Sequence, residues 1–258
     1  MRHIPFWLTL RLEMWSLRRS VYPIASERRW RRWLLVSLLV AALLPVAASA
    51  GLALALRWLP PPFTAIMLQE RQAAAEAGRE NSVEYRWVDW EYISPHVPVA
   101  VVAAEDQRFA HHSGFDVNAI SAAVRDRVFG VRERGASTIS QQVAKNLFLW
   151  PERSLLRKGL EAWFTVLIEA LWPKQRILEV YLNVAELGPG VFGVGAASER
   201  FFATTPARLT RSQAALLAAV LPNPSLLRAD RPSPYVLERR DWILEQMEML
   251  GGSDYLQL

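Results

Sequence analysis

One polar segment of this chain reads Glu105-Asp106-Gln107-Arg108-Phe109-Ala110-His111-His112-Ser113-Gly114 and, further on, Gly135-Ala136-Ser137-Thr138-Ile139-Ser140-Gln141-Gln142-Val143-Ala144-Lys145-Asn146. It closes with Arg153, Arg157, Lys158 and Glu161. Ionisable and amide side chains are crowded here into a segment otherwise rich in apolar helix-forming residues, which is unusual for packing alone. We therefore predict that this segment is an active site and that the remaining chain positions it.

Helical patterns surround this segment. The apolar run of Val97–Arg108 ends at Glu105-Asp106, and apolar residues recur at helical spacing through Arg153–Trp172. A short extended piece is predicted over 85–90, and no alternation of strands and helices follows it, so the predicted fold class is mainly α. Further helices are predicted over 138–149, from Pro173-Lys174 onward, over 214–221 behind a Thr210-x-x-Gln213 capping box, and over about 234–250, the last interpreted as amphipathic and structural.

Glu105 lies where an apolar helical run meets polar sequence. A carboxylate on the flank of an apolar helix loses hydration, and desolvation raises its pKa toward neutrality, as suits a general base. A lone glutamate at a helix end is more often a solvated surface residue. However, Phe109, His112 and Gly114 follow at short fixed spacing, and the adjacent Asp106 is a candidate orienting group. We therefore predict that Glu105 is the catalytic base.

Histidine-based zinc chemistry is not predicted. His111 and His112 are adjacent, so their side chains point in different directions, and neither an HExxH motif nor a third ligand lies nearby. His112 is interpreted instead as a hydrogen-bonding strut inside the site.

One face of the helix predicted over 138–149 carries hydroxyl, amide and ammonium groups. Gln142 and Lys145 are three residues apart, and Thr138 lies four residues before Gln142, so the side chains are neighbours on the helix surface. Such a face suits a sugar or a phosphate, although a solvated polar face would show the same spacing.

The next predicted helix repeats charged residues every four positions, at Arg153, Arg157 and Glu161. A surface ladder of ion pairs would do the same and would stabilise the protein little. However, residues 125–176 hold ten Lys or Arg against five Asp or Glu, a local charge of +5. A concentrated positive patch beside isolated carboxylates favours an anionic, phosphate-bearing ligand.

The positive charge of the whole chain is concentrated near the N-terminus. Residues 1–59 carry nine Arg and two Glu, a net charge of +7, while the whole chain carries +5, so residues 60–258 carry −2. The globular part is not a basic domain, which argues against nucleic-acid binding. The chain has no cysteine, so disulfides and cysteine-based sites are excluded.

An uncharged, apolar run of 24 residues extends from Trp33 to Leu56. As a helix it would be about 36 Å long, enough to cross a hydrocarbon core of about 30 Å. An arginine cluster at 28–32 precedes it and only Arg57 follows closely. The positive-inside rule therefore predicts a cytoplasmic N-terminus.

Two other interpretations fit this apolar run less well. A signal peptide cleaved after Ala48-Ser49-Ala50 would leave the run continuing to Leu56, and few core helices are apolar all round for this length. We predict a retained anchor. The predicted organisation is a cytoplasmic segment over 1–32, a transmembrane anchor over 33–59, a linker over 60–84 and a helical catalytic domain over 85–258.

Five patterns, in order across about 85–225, resemble the signatures of the peptidoglycan glycosyltransferases of family 51. Five ordered matches are highly specific, and the departure noted is Ala136, where the family often has a second glycine. The patterns are Glu105-Asp106-x-x-Phe109-x-x-His112-x-Gly114, Gly135-x-Ser137-Thr138-Ile139-x-Gln141-Gln142-x-x-Lys145-Asn146, Arg157-Lys158-x-x-Glu161, Lys174-x-x-Ile177-Leu178-Glu179-x-Tyr181-Leu182-Asn183 and Gly190-Val191-x-Gly193-x-x-x-Ala197 continuing to Phe202.

The resemblance implies a lysozyme-like helical domain with a membrane-dipping subdomain, and the polymerisation of lipid II into glycan strands. It implies that Glu105 deprotonates the 4-hydroxyl of the acceptor sugar, which attacks the anomeric carbon of the donor strand with inversion while undecaprenyl pyrophosphate leaves. Lys145, Arg153 and Arg157 match positions that grip the pyrophosphate. Glu161 matches the second catalytic carboxylate, which assists through the diphosphate or as a ligand of Mg²⁺ or Mn²⁺. The substrate-binding positions that shape the cleft are Asp106, Phe109, His112, Thr138, Gln142 and Asn146.

The resemblance also implies a location and partners. It places the enzyme in the bacterial inner membrane with the catalytic domain in the periplasm, and it implies no organic cofactor. Other cell-wall synthesis and division proteins are expected as partners besides lipid II and the growing strand. Only residues 226–258 follow Ser225, and the chain contains no Ser-x-x-Lys with Lys-Thr-Gly, so the likeness is to the monofunctional, biosynthetic kind.

Two rival functions share part of this pattern. A lytic enzyme that cleaves glycan would also use a lone catalytic glutamate, but it has no pyrophosphate to hold and so does not explain the positive cluster. A non-catalytic anchored scaffold of a cell-wall complex would not need Glu105, Lys145 and Glu161 together. We therefore predict the polymerising enzyme.

Overall fold

The computed structural model describes residues 25–78, 83–128, 137–152 and 154–256. It divides into two compact units, one up to Ala50 and the other from Gly51 onward. Several sequence predictions fall outside the described residues: those for most of the segment 1–32, for the turn at Gly135-Ala136 and for Arg153. They stay predictions.

A single long helix, α1, covers Ala25–Leu56 and contains Pro45 within it. Its part from Arg29 to Leu56 contains an 18-residue window with a mean hydropathy of 2.3 and is long and apolar enough to cross a membrane. Large apolar side chains along it, among them Trp33 and Leu35, are exposed. The predicted run from Trp33 to Leu56 is thus confirmed as a candidate membrane span by its length and composition.

The second unit is built mainly of helices, which confirms the predicted fold class. Between them lie short 3₁₀ turns at Trp90–Tyr92, Phe109–His111, Pro206–Arg208 and Gly252–Leu256. The helices are α2 (Ala65–Glu76), α3 (His96–Glu105), α4 (Val117–Val128), α5 (Ile139–Phe148), α6 (Leu155–Leu171), α7 (Lys174–Val184), α8 (Gly193–Phe202), α9 (Arg211–Val220) and α10 (Pro234–Met249).

Helix α3 lies at the centre of the core. Its residues from Val97 to Ala103 are all buried, because α7, α9 and α10 pack around it. An apolar sequence without a polar face is what such a position requires. The helix ends at Glu105, which therefore lies at the edge of the core, where the polar part of the sequence begins.

Helix α5 begins with a capping box that the sequence analysis did not identify. The Thr138 hydroxyl accepts the backbone N–H of Gln141, and the Gln141 side chain accepts the N–H of Thr138. This exchange satisfies two donors at the start of the helix. The box predicted at Thr210 and Gln213 is confirmed at the start of α9.

A small sheet that the sequence did not predict pairs distant segments. Its strands are β1 (Glu84–Tyr85), β2 (Glu186–Gly188) and β3 (Val191–Phe192), in the order β1-β3-β2. Strand β1 runs parallel to β3, and β2 runs antiparallel to it. The extended piece predicted over 85–90 therefore starts as a strand, while β2 and β3 form a hairpin around Pro189 and Gly190.

The last residue of α1 and the residues that follow it are hydrogen-bonded to α6 and α7. Arg176 donates hydrogen bonds to the carbonyls of Leu56 and Leu59 at 2.9 and 2.8 Å. Arg57 donates to the Leu171 carbonyl at 2.5 Å. Cationic donors at a helix C-terminus satisfy its free carbonyls and favour its dipole.

Candidate active site

Glu105 is held in one orientation by a short chain of hydrogen bonds. The Gln142 Nε2 on α5 donates to Glu105 Oε2 at 2.8 Å. The hydroxyl of Tyr181 on α7 donates to Gln142 Oε1 at 3.1 Å, which fixes the orientation of the amide. Tyr181 is fully buried, so the chain is anchored in the core. The predicted base is thus presented on a rigid support.

Burial raises the pKa of the Glu105 carboxyl above its ordinary value. The hydrogen bond from Gln142 and the charges of Arg239 and Lys145 act in the opposite direction and favour the carboxylate. A raised pKa makes the group a stronger proton acceptor once it is ionised. This is the property that its position beside an apolar helix predicted.

Asp106 connects α3 to the start of α5. Its Oδ2 accepts the backbone N–H of Ile139 at 3.0 Å, at the positive end of that helix. Its Oδ1 lies 2.9 Å from His112 Nε2. Because His112 Nδ1 accepts the N–H of Gly114 at 3.2 Å, Nε2 carries the proton and donates to Asp106. The prediction of His112 as a hydrogen-bonding strut is confirmed.

The loop after His112 is fixed from two sides. The Thr138 hydroxyl donates to the Gly114 carbonyl at 2.6 Å. Gly114 has φ +86°, and a Cβ at this position would lie 2.7 Å from Thr165 Cγ2. Only glycine fits this conformation and this space without strain. The side chain of Thr138, predicted to face a ligand, is therefore used for the loop and the cap.

Lys174 ties this loop to the rest of the domain, a role that sequence reasoning missed. Its Nζ donates to the His112 carbonyl at 2.6 Å and to Glu169 Oε1 at 2.8 Å. The ammonium also lies 4.5 Å from the centre of the Phe109 ring. Phe109 is completely buried, so its ring belongs to the core on which this loop packs. Lys174 is the first residue of the fourth signature, and this match is the sequence signal that could have indicated its role.

A second cluster surrounds Glu161 on α6. Glu161 is only 3% exposed, yet its Oε2 accepts from Arg157 Nη1 at 2.9 Å and its Oε1 pairs with Lys158 Nζ. The predicted shared face of Arg157 and Glu161 is confirmed. The Nε of Arg157 is buried without a hydrogen-bond partner among the described residues. One donor of this guanidinium is therefore left for a group that is not part of this cluster.

Lys145 is the other cation of the site. It is partly buried, and burial lowers the pKa of its ammonium, while the charges of Glu161 and Glu105 raise it. Among the described residues it forms no ion pair with a carboxylate. A half-buried, unpaired ammonium beside two glutamates is suited to an anionic ligand. The adjacent Asn146 is buried.

An open cleft lies on one side of Glu105. It has a volume of about 300 Å³. The residues that line it come from the end of α3, the start of α4 and the segment before α5: Glu105, Asp106, Gln107, Arg108, Asp116, Asn118, Ala119, Ser137 and Thr138. The base thus faces a space in which a sugar hydroxyl can approach it.

The residues around Glu161 do not form a metal site by themselves. Within the described ranges there is no group of three or more His, Cys, Asp or Glu side chains placed to hold an ion. Both oxygens of Glu161 already contact cations. Mg²⁺ or Mn²⁺ prefers several oxygen ligands, which this protein cluster does not supply. The described residues around Glu161 are therefore not sufficient to hold a divalent ion.

Comparisons with known proteins show which family this chain resembles. A family model described as Transglycosylase matches residues 70–248. A biosynthetic peptidoglycan transglycosylase of Stutzerimonas stutzeri (strain A1501) is 55% identical over 212 residues, which cover 82% of this chain and 88% of the relative. Proteins of the same description are 54% identical over 211 residues in Pseudomonas aeruginosa (82% and 91% covered) and 52% over 225 residues in Pseudomonas fluorescens (87% and 94%).

Proposed function

The chain belongs to the transglycosylase family, and we propose on this premise that it polymerises lipid II into glycan strands with Glu105 as the base. It is a peptidoglycan glycosyltransferase with the lysozyme-like helical fold of that family. The observation that carries the proposed mechanism is the combination of two groups: a largely buried, hydrogen-bonded Glu105 and the half-buried ammonium of Lys145, which forms no ion pair among the described residues.

The acceptor hydroxyl is activated at Glu105. The carboxylate takes the proton of the sugar 4-hydroxyl, and the oxygen forms a bond to the anomeric carbon of the donor from the face opposite the leaving group. The bond from that carbon to the pyrophosphate oxygen breaks, so the configuration inverts. Burial of Glu105 supports this role because it raises the proton affinity of the carboxylate.

Negative charge develops on the departing undecaprenyl pyrophosphate. Lys145 and Arg157 are the described cations available to hold it, the first as a point charge and the second through its Nε–H. Arg153 is proposed for the same role from the sequence pattern. Glu161 holds Arg157 and Lys158 in place through its two oxygens. Its proposed part is to order the cations that bind the diphosphate.

The binding of a divalent cation is proposed separately from these steps. The described residues alone do not supply its ligands, so Mg²⁺ or Mn²⁺ would be held chiefly by phosphate oxygens, with Glu161 as a candidate protein ligand. Such an ion would neutralise charge on the diphosphate.

The proposed location follows from helix α1. A membrane-anchored enzyme reaches a substrate whose lipid tail is itself in the bilayer. The arginine cluster before the span favours a cytoplasmic N-terminus, a periplasmic catalytic domain and residence in the inner membrane. Labelling single introduced cysteines, one before the span and one in the catalytic domain, with an impermeant thiol reagent in intact spheroplasts tests this orientation. Labelling of the cysteine before the span would contradict it.

The experiment that tests the function is polymerisation of purified lipid II by the detergent-solubilised protein. The native protein and Glu245→Gln, a change at an exposed glutamate, are expected to form polymer, and Glu105→Gln none. Polymer formation by Glu105→Gln would show that another residue is the base. Failure of the folded native protein with added Mg²⁺ or Mn²⁺ would overturn the proposal, and release of fragments from finished peptidoglycan would then identify a lytic enzyme rather than a scaffold.

A further inference from the structure

The cleft beside Glu105 has one cationic side chain among its lining residues, that of Arg108. The other ionisable side chains that line it are acidic: Glu105, Asp106 and Asp116. Neither Lys145 nor Arg157, the described cations proposed for the leaving group, lines this cleft. Arg108 is therefore a cation that the proposed mechanism does not use, although it lines the same cleft as the proposed base.

The backbone of Arg108 is fixed by the short turn that connects the end of α3 to Phe109. The N–H of Phe109 donates to the Asp106 carbonyl at 3.0 Å, and the N–H of His111 donates to the Arg108 carbonyl at 2.8 Å. Phe109 is completely buried, so the turn is anchored in the core. The side chain of Arg108 therefore starts from an ordered position three residues after Glu105.

The side chain of Arg108 is held by Asp116, the residue before α4. Arg108 Nη1 donates to Asp116 Oδ1 at 3.1 Å. The same oxygen accepts the backbone N–H groups of Asn118 at 2.9 Å and Ala119 at 3.0 Å, so the carboxylate is already held by its own helix. An ion pair with a half-exposed partner contributes little to stability. Its effect is to fix the direction of the guanidinium.

Most of this guanidinium remains free to bind a ligand. The Arg108 side chain is 48% exposed, and its Nε and Nη2 make no hydrogen bond to any described residue. A guanidinium carries five N–H donors in a planar fork that matches the oxygens of a carboxylate or a phosphate. A partly exposed, oriented guanidinium in a cleft therefore favours an anionic group of the ligand.

We propose that Arg108 is a substrate-binding residue for the acceptor and that it binds an anionic group which the acceptor carries beyond the sugar with the 4-hydroxyl. This inference rests on the proposed function, in which the acceptor enters the cleft to reach Glu105. Lipid II offers two anionic groups of this chemistry, its diphosphate and the carboxylates of its peptide. Because Lys145 and Arg157 are proposed for the diphosphate of the donor, two copies of one molecule are held by separate cations.

The first test measures the Michaelis constants of the two substrates separately. The donor is lipid II without the 4-hydroxyl, which cannot accept, and the acceptor is lipid II with a methylene group in place of the anomeric oxygen, which cannot donate. Arg108→Gln is expected to raise the KM for the acceptor about tenfold, because charge-assisted hydrogen bonds are lost, and to leave kcat and the KM for the donor nearly unchanged. Arg108→Lys should recover part of the loss.

Arg228 supplies the matched control. Its side chain is 45% exposed and is paired with Asp230 at 2.7 Å, yet it does not line the cleft. Arg228→Gln should therefore keep the native constants. The inference is overturned if Arg108→Gln leaves the KM for the acceptor unchanged, or if it lowers kcat and raises both KM values together, as a disturbed turn does.

A second variant keeps this test decisive if Arg108→Gln does not fold. Asp116→Asn retains an N-cap side chain before α4 and removes the charge that orients Arg108, so it should raise the same KM by a smaller factor. Melting temperatures measured in the same detergent show whether each variant is folded. A folded Asp116→Asn protein with the native KM for the acceptor would contradict the inference.

A shortened acceptor identifies the anionic group. With an acceptor that lacks the peptide, a persisting effect of Arg108→Gln on KM would assign the arginine to the diphosphate. Loss of the effect would assign it to a carboxylate of the peptide.

The last test does not use activity, so it separates this inference from the proposed function. Phenylglyoxal modifies arginine side chains, and peptide mapping by mass spectrometry measures the modification of Arg108 and Arg228 in the same sample of native protein. The methylene-linked acceptor should protect Arg108 and leave Arg228 reactive. If the acceptor binds, as measured by the anisotropy of a fluorescent form, and Arg108 still reacts at its original rate, the inference is refuted while the proposed function stands. Absence of binding to the folded protein would overturn both.

Discussion

Gln142 donates a 2.8 Å hydrogen bond to Glu105 and thereby joins helix α5 to the last residue of α3. The two residues are 37 positions apart, and the amide is oriented by Tyr181 from a third helix. The proposed base is therefore not positioned by its own helix alone. Its orientation and its proton affinity both depend on packing between α3, α5 and α7.

The first prediction concerns this hydrogen bond. Gln142→Ala removes a donor that favours the carboxylate, so the pKa of Glu105 should rise further and activity should fall as the pH is lowered through a higher value than in the native protein. A loss of about tenfold on the acid limb is expected. The measurement is the pH–rate profile of polymerisation.

Two further variants serve as a comparison and a control for that result. Tyr181→Phe leaves the amide in place and removes only its orientation, so it should move the acid limb less. Gln175→Ala changes an exposed glutamine on α7 and should not move it. A Gln142→Ala profile with an unshifted acid limb would contradict the assigned role of the hydrogen bond.

The second prediction concerns Lys145. Replacing it by Met should lower the turnover of lipid II by about a hundredfold, because one preorganised charge on the leaving group is lost. Burial lowers the pKa of the native ammonium, so its charge is lost as the pH rises through a value below that of an ordinary lysine. Lys145→Arg should keep activity to higher pH. If Lys145→Met and the native protein polymerise equally fast, Lys145 does not hold the leaving group.

The third prediction concerns stability at the connection between α3 and α5. Asp106→Ala leaves the Ile139 N–H and the His112 Nε2–H without their acceptor in a buried site. This should lower the free energy of unfolding by about 1–3 kcal/mol. Chemical denaturation followed by near-UV circular dichroism measures it, with the exposed Asp254→Ala as control. Equal midpoints for the two variants would show that the connection contributes little.

Structural features that depend on residues close together in the sequence could be predicted, whereas features that depend on contacts between distant residues could not. Helices α3, α5, α6, α7, α9 and α10 were predicted within a few residues, because apolar periodicity and end signals are local. Helix α4 and the three-stranded sheet were not, since strand β1 pairs with residues about a hundred positions later and leaves only a weak alternation. The local pattern at Glu105 and at Arg157–Glu161 was enough to single out both as candidate site residues, which remains a prediction.

The residues that support the site were beyond such reasoning. Lys174 reaches back 62 positions to the His112 carbonyl, and Tyr181 orients the Gln142 amide from 39 positions later in the chain. A lysine on an amphipathic helix is an ordinary surface residue unless tertiary packing turns it inward. Only the fold shows which distant side chains these two residues contact.

The last prediction separates backbone strain from crowding at two glycines. Gly78 and Gly114 both have positive φ, +66° and +86°, but a Cβ at Gly78 meets nothing within 4 Å, while at Gly114 it would lie 2.7 Å from Thr165 and 3.0 Å from Glu169. Gly78→Ala should cost only the strain of the left-handed conformation, about 1 kcal/mol. Gly114→Ala should cost that and a further 1–3 kcal/mol, approximately, for overpacking.

The effect at Gly114 should extend to catalysis. Its N–H and carbonyl contact His112 and Thr138, so a displaced backbone disturbs the connection to Asp106 beside the base. Thermal unfolding and lipid II turnover of both alanine variants are the measurements, and activity should fall in Gly114→Ala while Gly78→Ala keeps it. If the two variants have the same melting temperature and the same activity, the loop after His112 is loose enough to admit a side chain. Gly114 would then not be the residue that holds His112 against Asp106.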